Sequence, residues 1–89
     1  MKDISTKYDK AIFKYFAKQS RKIMKKYPKW NVAFSFARGR IVKYCKVGFE
    51  HHYQNICRTV DFSIDIRENW KNPIRQSFKR INEYLSRCE

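Results

Sequence analysis

The segment from Thr6 to Lys29 constrains the fold most strongly, because as an α-helix it separates into two opposed faces. The apolar side has Ile12, Phe16, Ile23 and Tyr27, bordered by Phe13, Ser20 and Met24. Cations spaced by three and four residues lie on the opposite side, within about a third of the helix circumference. These cations form the cationic face: Lys7, Lys10, Lys14, Lys18, Arg21, Lys22, Lys25 and Lys29. A helix of this kind needs another layer of structure to cover its apolar side.

Local signals predict both ends of this helix. Thr6 is a candidate N-cap, and Asp9 follows three residues later, in the position of a capping-box acid. Residues 1–5 are expected to form a loose leader. Pro28 disfavours the α conformation of the preceding residue, so we expect the helix to end at about Lys26.

After this helix the apolar periodicity changes from helical spacing to alternation, which predicts strands over residues 30–37, 41–49 and 59–66. Gly39 supplies the positive φ of a tight hairpin between the first two strands. The second strand has apolar residues on both faces and is expected to be central. Residues 48–55 are predicted to be the longest connection.

A second helix is predicted from Asn72 as N-cap and Pro73 as first helical residue. Its apolar side has Ile74, Phe78, Ile81, Leu85 and Cys88, and its opposite side has Arg75, Lys79, Glu83 and Arg87. The predicted fold class is therefore α+β, in the order α-β-β-β-α. We expect a three-stranded antiparallel meander with both helices packed on one face, in a single domain spanning residues 1–89.

The composition predicts a folded chain with an acidic partner. Seven Phe, six Tyr and two Trp among 89 residues can form an efficient core. The formal net charge of +13 exceeds the magnitude of about 2 to 8 that suffices for a soluble surface. Residues 1–29 hold ten cations and two anions, whereas residues 48–70 hold two cations and four anions. The positive field therefore belongs to the N-terminal half.

The cationic face predicts phosphate contacts along a nucleic acid, because lysine and arginine displace the counterions condensed on such a polyanion. Tyr8 and Tyr15 lie at its edge, where a ring could stack on a base. Arg38 and Arg40 at the hairpin tip add two guanidinium groups. The ten cations of the cationic face and hairpin tip are the predicted nucleic-acid-binding residues. The pattern leaves DNA or RNA, and single or double strand, open.

Other interpretations of the same charge remain open. The face could simply be solvated, or it could meet an anionic lipid or an acidic protein. A protein-interaction module or inhibitor, of the kind found in phages and mobile elements, could bind a host factor that processes nucleic acid. An exposed apolar patch of several hundred Å² would favour that alternative.

Motifs for metal or catalytic chemistry are weak. Cys45, His51, His52 and Cys57 lack the paired spacing of structural zinc sites. Asp61 and Asp65 share one strand face, as the polar side of a half-exposed strand would. No phosphate-binding loop or catalytic triad pattern occurs, so we expect no enzyme, cofactor or metal.

The sequence also predicts a compartment. The first 20 residues lack the apolar region of a signal peptide, and no apolar run approaches membrane-spanning length. The odd number of cysteines, at irregular spacing, is typical of reduced thiols. We expect a cytoplasmic protein, in the nucleoid or the cytosol of a host.

The order α-β-β-β-α is similar to that of double-stranded-RNA-binding domains, which recognise A-form RNA by shape. That family has a Pro-His loop between its first two strands and a lysine cluster at the start of its second helix. Here the corresponding segments are 38–40, Arg-Gly-Arg, and 72–75, Asn-Pro-Ile-Arg. Because neither motif matches, the resemblance implies element order only and contributes no binding residue.

Overall fold

The computed structural model of the chain describes residues 4–88 and confirms the predicted α+β class. Its elements are helix α1 (Ile4–Lys26), strands β1 (Trp30–Phe36), β2 (Val42–His51) and β3 (Cys57–Asp65), and helix α2 (Lys71–Cys88). The strands form one antiparallel sheet in the order β1-β2-β3, so β2 is central as expected.

Both helices cover the same face of the sheet, and the core lies between the two layers. Phe16 of α1 is fully buried at the centre of this core. Its ring stacks on Phe34 and Phe36 of β1, with centroids 5.0 and 5.9 Å away, and lies 6.1 Å from the ring of Phe78 of α2. The strand register places Phe34 opposite Val47 and Phe36 opposite Cys45, which continues the apolar surface onto β2.

The two helices run side by side in the same direction. The ring of Tyr15, in the middle of α1, meets the ring of Trp70, just before the start of α2, edge to face at 5.9 Å. Near the end of α1, the hydroxyl of Tyr27 donates a hydrogen bond to the backbone carbonyl of Asn82, at 3.3 Å. The second half of α1 therefore lies alongside α2, and both helices advance along the chain in the same direction.

The observed start of α1 corrects the predicted cap. The helix begins at Ile4, so Ser5 belongs to the helix and Thr6 lies inside it instead of capping it. Residues 1–3 of the predicted leader lie outside the described residues. At the other end, α1 stops at Lys26 as expected, and Lys29 lies in the following turn, off the helix that was expected to carry it.

The strand boundaries differ from the predicted ones by one or two residues, and the start of α2 also differs. Strand β2 extends to His51, so the loop before β3 is shorter than expected. The Nδ1 atom of His51 accepts hydrogen bonds from the backbone N–H groups of Tyr53 and Gln54, both at 3.1 Å, and so supplies a partner that the turn needs. Helix α2 begins at Lys71, one residue before the predicted cap Asn72.

The described residues contain no helix with the length and apolar character needed to cross a bilayer.

Candidate nucleic-acid interface

All ten predicted binding residues have exposed side chains. Residues 4–88 contain two ion pairs, which join Lys43 to Asp9 and Arg67 to Asp65. None of the ten predicted binding residues takes part in either pair. Asp9 is the only carboxylate of α1, and it is directed toward the buried Lys43. The cationic face of α1 is therefore not neutralised by carboxylates of the described chain.

The hairpin tip joins the cationic face near the start of α1. Arg38 lines the same surface depression as Lys10 and Phe13, and this depression has a volume of about 360 Å³. Phe13 is 48% exposed, and its ring packs edge-on against Phe34 at 5.2 Å. An aromatic side chain thus shares a depression with a lysine and an arginine; Asp9, the partner of Lys43, also lines it.

A buried ion pair holds the hairpin against α1. The Nζ atom of Lys43 lies 2.7 Å from Oδ1 of Asp9, and it also donates to the backbone carbonyl of Arg40. The second carboxylate oxygen, Oδ2, accepts the backbone N–H of Gly39 at 3.0 Å. Gly39 has the positive φ predicted for the turn, 71°. Asp9 therefore anchors the turn that carries Arg38 and Arg40 instead of capping the helix.

A groove between the two helices adds cations that the sequence prediction missed. It has a volume of about 340 Å³, and its floor includes the buried side chains of Ile23 and Phe78. Its walls have two cations from each helix. We call this depression the inter-helix groove. Its four cations are Lys22, Lys26, Arg75 and Lys79.

The missed residues had a partial signal in the sequence. Lys71, Arg75 and Lys79 recur at intervals of four, which places them along one edge of the apolar side of α2. The sequence does not say which edge of α2 faces α1. Lys26 was not among the predicted residues because it lies at the margin of the cationic face of α1.

A second depression lies beside the inter-helix groove, toward the helix starts. Lys14 and Lys18 line it together with Lys71, around the rings of Tyr15 and Trp70. The Nζ atom of Lys71 lies 5.6 Å from the Tyr15 centroid and 5.7 Å from that of Trp70. Because Lys71 lies over both rings, Tyr15 is not the free stacking surface that was expected at this edge. Tyr8 is likewise half-buried against the core.

At the far end of α1, Lys29 lies beside the loop that joins β2 to β3. Its backbone carbonyl accepts the N–H of His52 at 2.8 Å. Tyr53 in this loop is 83% exposed, with its ring 6.1 Å from the rings of both His51 and His52. An exposed aromatic side chain therefore lies near each end of the cationic face.

The open face of the sheet has charges of both signs. Glu50 and Asp61 are exposed on this face, and so is Lys46, the register partner of Asp61. Two hydrogen bonds from the Arg67 side chain and one from its backbone N–H lower the pKa of Asp65 to about 2. Partial burial and the nearby Asp61 carboxylate raise the pKa of Tyr44.

The cysteine and histidine residues considered as metal ligands do not converge. Cys45 is buried on the helix-facing side of β2, where burial raises the pKa of its thiol to about 12. Cys57 is exposed, and its register partner Glu50 lies on the open face of the sheet. Within residues 4–88 no three side chains of the metal-binding types come together.

No family model, curated protein or solved structure matches the chain.

Proposed function

We propose that this protein is a small, non-enzymatic nucleic-acid-binding module that contacts phosphates through the cationic face of α1 and the hairpin tip. One observation supports the proposal above all others: the exposed cations of α1 have no carboxylate partner in the described chain. Like-charged neighbours at i,i+4 cost a few tenths of a kcal/mol per pair, about 0.2–0.5. A bound polyanion would remove that repulsion and release its own condensed counterions.

The hairpin supports the same proposal. A buried ion pair fixes the turn, so the backbone that carries Arg38 and Arg40 is already ordered before binding, and Arg38 lies beside Lys10. The two guanidinium groups can each hold a phosphate in a bidentate geometry. Free thiols at all three cysteines are consistent with the cytoplasm, which we propose as the compartment.

The exposed apolar residues favour this function over a protein-interaction module. The described residues have five exposed large apolar side chains, and these come from three segments, α1 (Phe13), the start of β2 (Ile41, Val42, Tyr44) and the loop before β3 (Tyr53). A partner-binding surface of the apolar type would concentrate them in one patch. The cations, in contrast, are contiguous along one helix.

Fluorescence anisotropy with labelled duplex DNA, duplex RNA and single-stranded oligonucleotides tests the proposal. Wild-type protein is expected to bind at least one of these at low salt. The variant Lys14→Glu/Arg21→Glu should weaken binding to all base sequences alike, because phosphate contacts carry no base information. Absence of binding to every oligonucleotide would overturn the proposal. Retention of a protein partner from a nuclease-treated lysate would then favour the protein-interaction alternative.

A further inference from the structure

The inter-helix groove differs from the rest of the cationic surface because its cations face one another from two helices. On α1, Lys22 and Lys26 are four residues apart, and on α2 the same interval separates Arg75 from Lys79. An interval of four residues advances about 6 Å along a helix, from the rise of 1.5 Å per residue. Because the helices run in the same direction, these two short rows lie alongside each other across the groove.

The surroundings of the groove increase its affinity for anions. Ile23 and Phe78 are buried beneath it, so the four cations lie above an apolar floor of low dielectric constant. Such a floor strengthens the positive potential in the groove. No acidic side chain lines the groove within the described residues; the two remaining polar groups of its lining are the carboxamides of Gln19 and Asn82. Arg75 donates one hydrogen bond to the Asn72 side chain at 3.3 Å, which leaves further guanidinium donors.

Aromatic stacking does not compete with phosphate binding here. The ring of Tyr27, whose centroid is 5.5 Å from Nζ of Lys26, is buried, and the rings of Tyr15 and Trp70 lie in the neighbouring depression under Lys71. Phe78 is only 3% exposed at the floor of the groove. A strand in the groove would therefore present phosphates to the protein and direct its bases outward.

We propose that the inter-helix groove binds consecutive phosphates of one nucleic-acid strand, with Lys22 and Lys26 on one wall and Arg75 and Lys79 on the other. This inference rests on the proposed function and extends it to α2, which contributes none of the binding residues predicted from the sequence. Binding in this groove is independent of base sequence, because the contacts are to phosphates.

A matched pair of charge-reversal variants tests the groove. Arg75→Glu/Lys79→Glu removes both cations of the α2 wall. Arg80→Glu/Arg87→Glu changes the net charge of the same helix by the same amount at exposed positions that do not line the groove. Anisotropy titrations with one labelled single strand and one labelled duplex, each over a series of salt concentrations, compare the two variants with wild type.

The groove variant should lose about tenfold or more in affinity, and its slope of log K against log[salt] should be shallower by about 2, since two phosphate contacts are lost. The control should keep the wild-type slope. The variant Arg75→Lys/Lys79→Arg keeps both positive charges and should bind as the wild type does. Circular dichroism should show that all variants are folded. Equal losses in the groove variant and the control would overturn the inference.

The outcome also separates the inference from the proposed function. If Lys14→Glu/Arg21→Glu weakens binding while Arg75→Glu/Lys79→Glu behaves like the control, the groove is not used and the proposed function stands. If the wild-type protein binds no oligonucleotide, both proposals are wrong.

Discussion

The ammonium group of Lys43 and the carboxylate of Asp9 form a buried ion pair, with 2.7 Å between Nζ and Oδ1. The Lys43 side chain is fully buried, whereas that of Asp9 keeps 16% of its exposure. This contact ties the central strand to the first turns of α1, and the second oxygen of Asp9 holds the turn at Gly39. The pair therefore connects the stability of the fold to the placement of the hairpin arginines.

Asp9→Asn should destabilise the protein by about 3 kcal/mol, because it removes the carboxylate charge that lies 2.7 Å from the buried ammonium group of Lys43. Lys43→Met should cost less, about 1–2 kcal/mol, because the Asp9 side chain that remains can reach water. Urea unfolding of both variants measures the two values. A smaller loss for Asp9→Asn than for Lys43→Met would contradict this assignment.

The double variant Asp9→Asn/Lys43→Met measures how strongly the two groups are coupled. It should be more stable than the sum of the single losses predicts, because the contact between the two groups is lost only once and is counted in both single variants. Additive losses in this double-mutant cycle would show that the two side chains do not interact in solution.

The three cysteines should differ in reactivity. Cys57 and Cys88 are exposed, whereas Cys45 is buried and its thiol pKa is raised to about 12. Because the thiolate is the nucleophile, Cys45 should not react in the folded protein. A thiol-reactive dye at neutral pH should label two sites in buffer and all three in denaturant. Rapid labelling of a third thiol without denaturant would contradict the burial of Cys45.

Asp65 should titrate with a pKa of about 2, below its ordinary 3.8, because the side chain and backbone N–H of Arg67 bind its ionised form. Since the folded-state pKa is the lower one, the contact stabilises the fold above pH 3.8, and this contribution is lost as the pH falls toward 2. NMR titration of the carboxyl carbon measures the midpoint. Arg67→Ala should move it upward, and an unchanged midpoint would exclude the assigned cause.

Much of the fold could be predicted because each element has one strongly apolar side. The alternation through Val32, Phe34 and Phe36, and the helical spacing of Ile12, Phe16 and Ile23, place the same residues in the core that the structure buries or half-buries. The apolar residues on both faces of the second strand predicted that β2 is central, which the sheet order confirms. These patterns depend only on local periodicity, which the sequence displays directly.

The interactions missed from the sequence are those between distant segments. Asp9 has the spacing of a capping-box acid, and nothing near it in sequence indicates a lysine 34 residues later as its partner. Lys43 has the same strand face as Ile41 and Cys45. A lysine at such a position in an apolar alternation indicates a buried cation, which the structure shows. Similarly, Arg75 and Lys79 could be assigned to a groove only from the structure, because the sequence does not show which edge of α2 faces α1.

The salt dependence of nucleic-acid binding tests the central claim most directly. If the cationic face contacts six or more phosphates, a plot of log K against log[salt] should fall with a slope of about −4 or steeper, since each contact contributes roughly −0.7 to −0.9. Anisotropy titrations of the wild-type protein, from low to moderate salt on one oligonucleotide, give this slope. A slope near zero, or no binding at any salt concentration, would contradict the claim that this surface binds a nucleic acid.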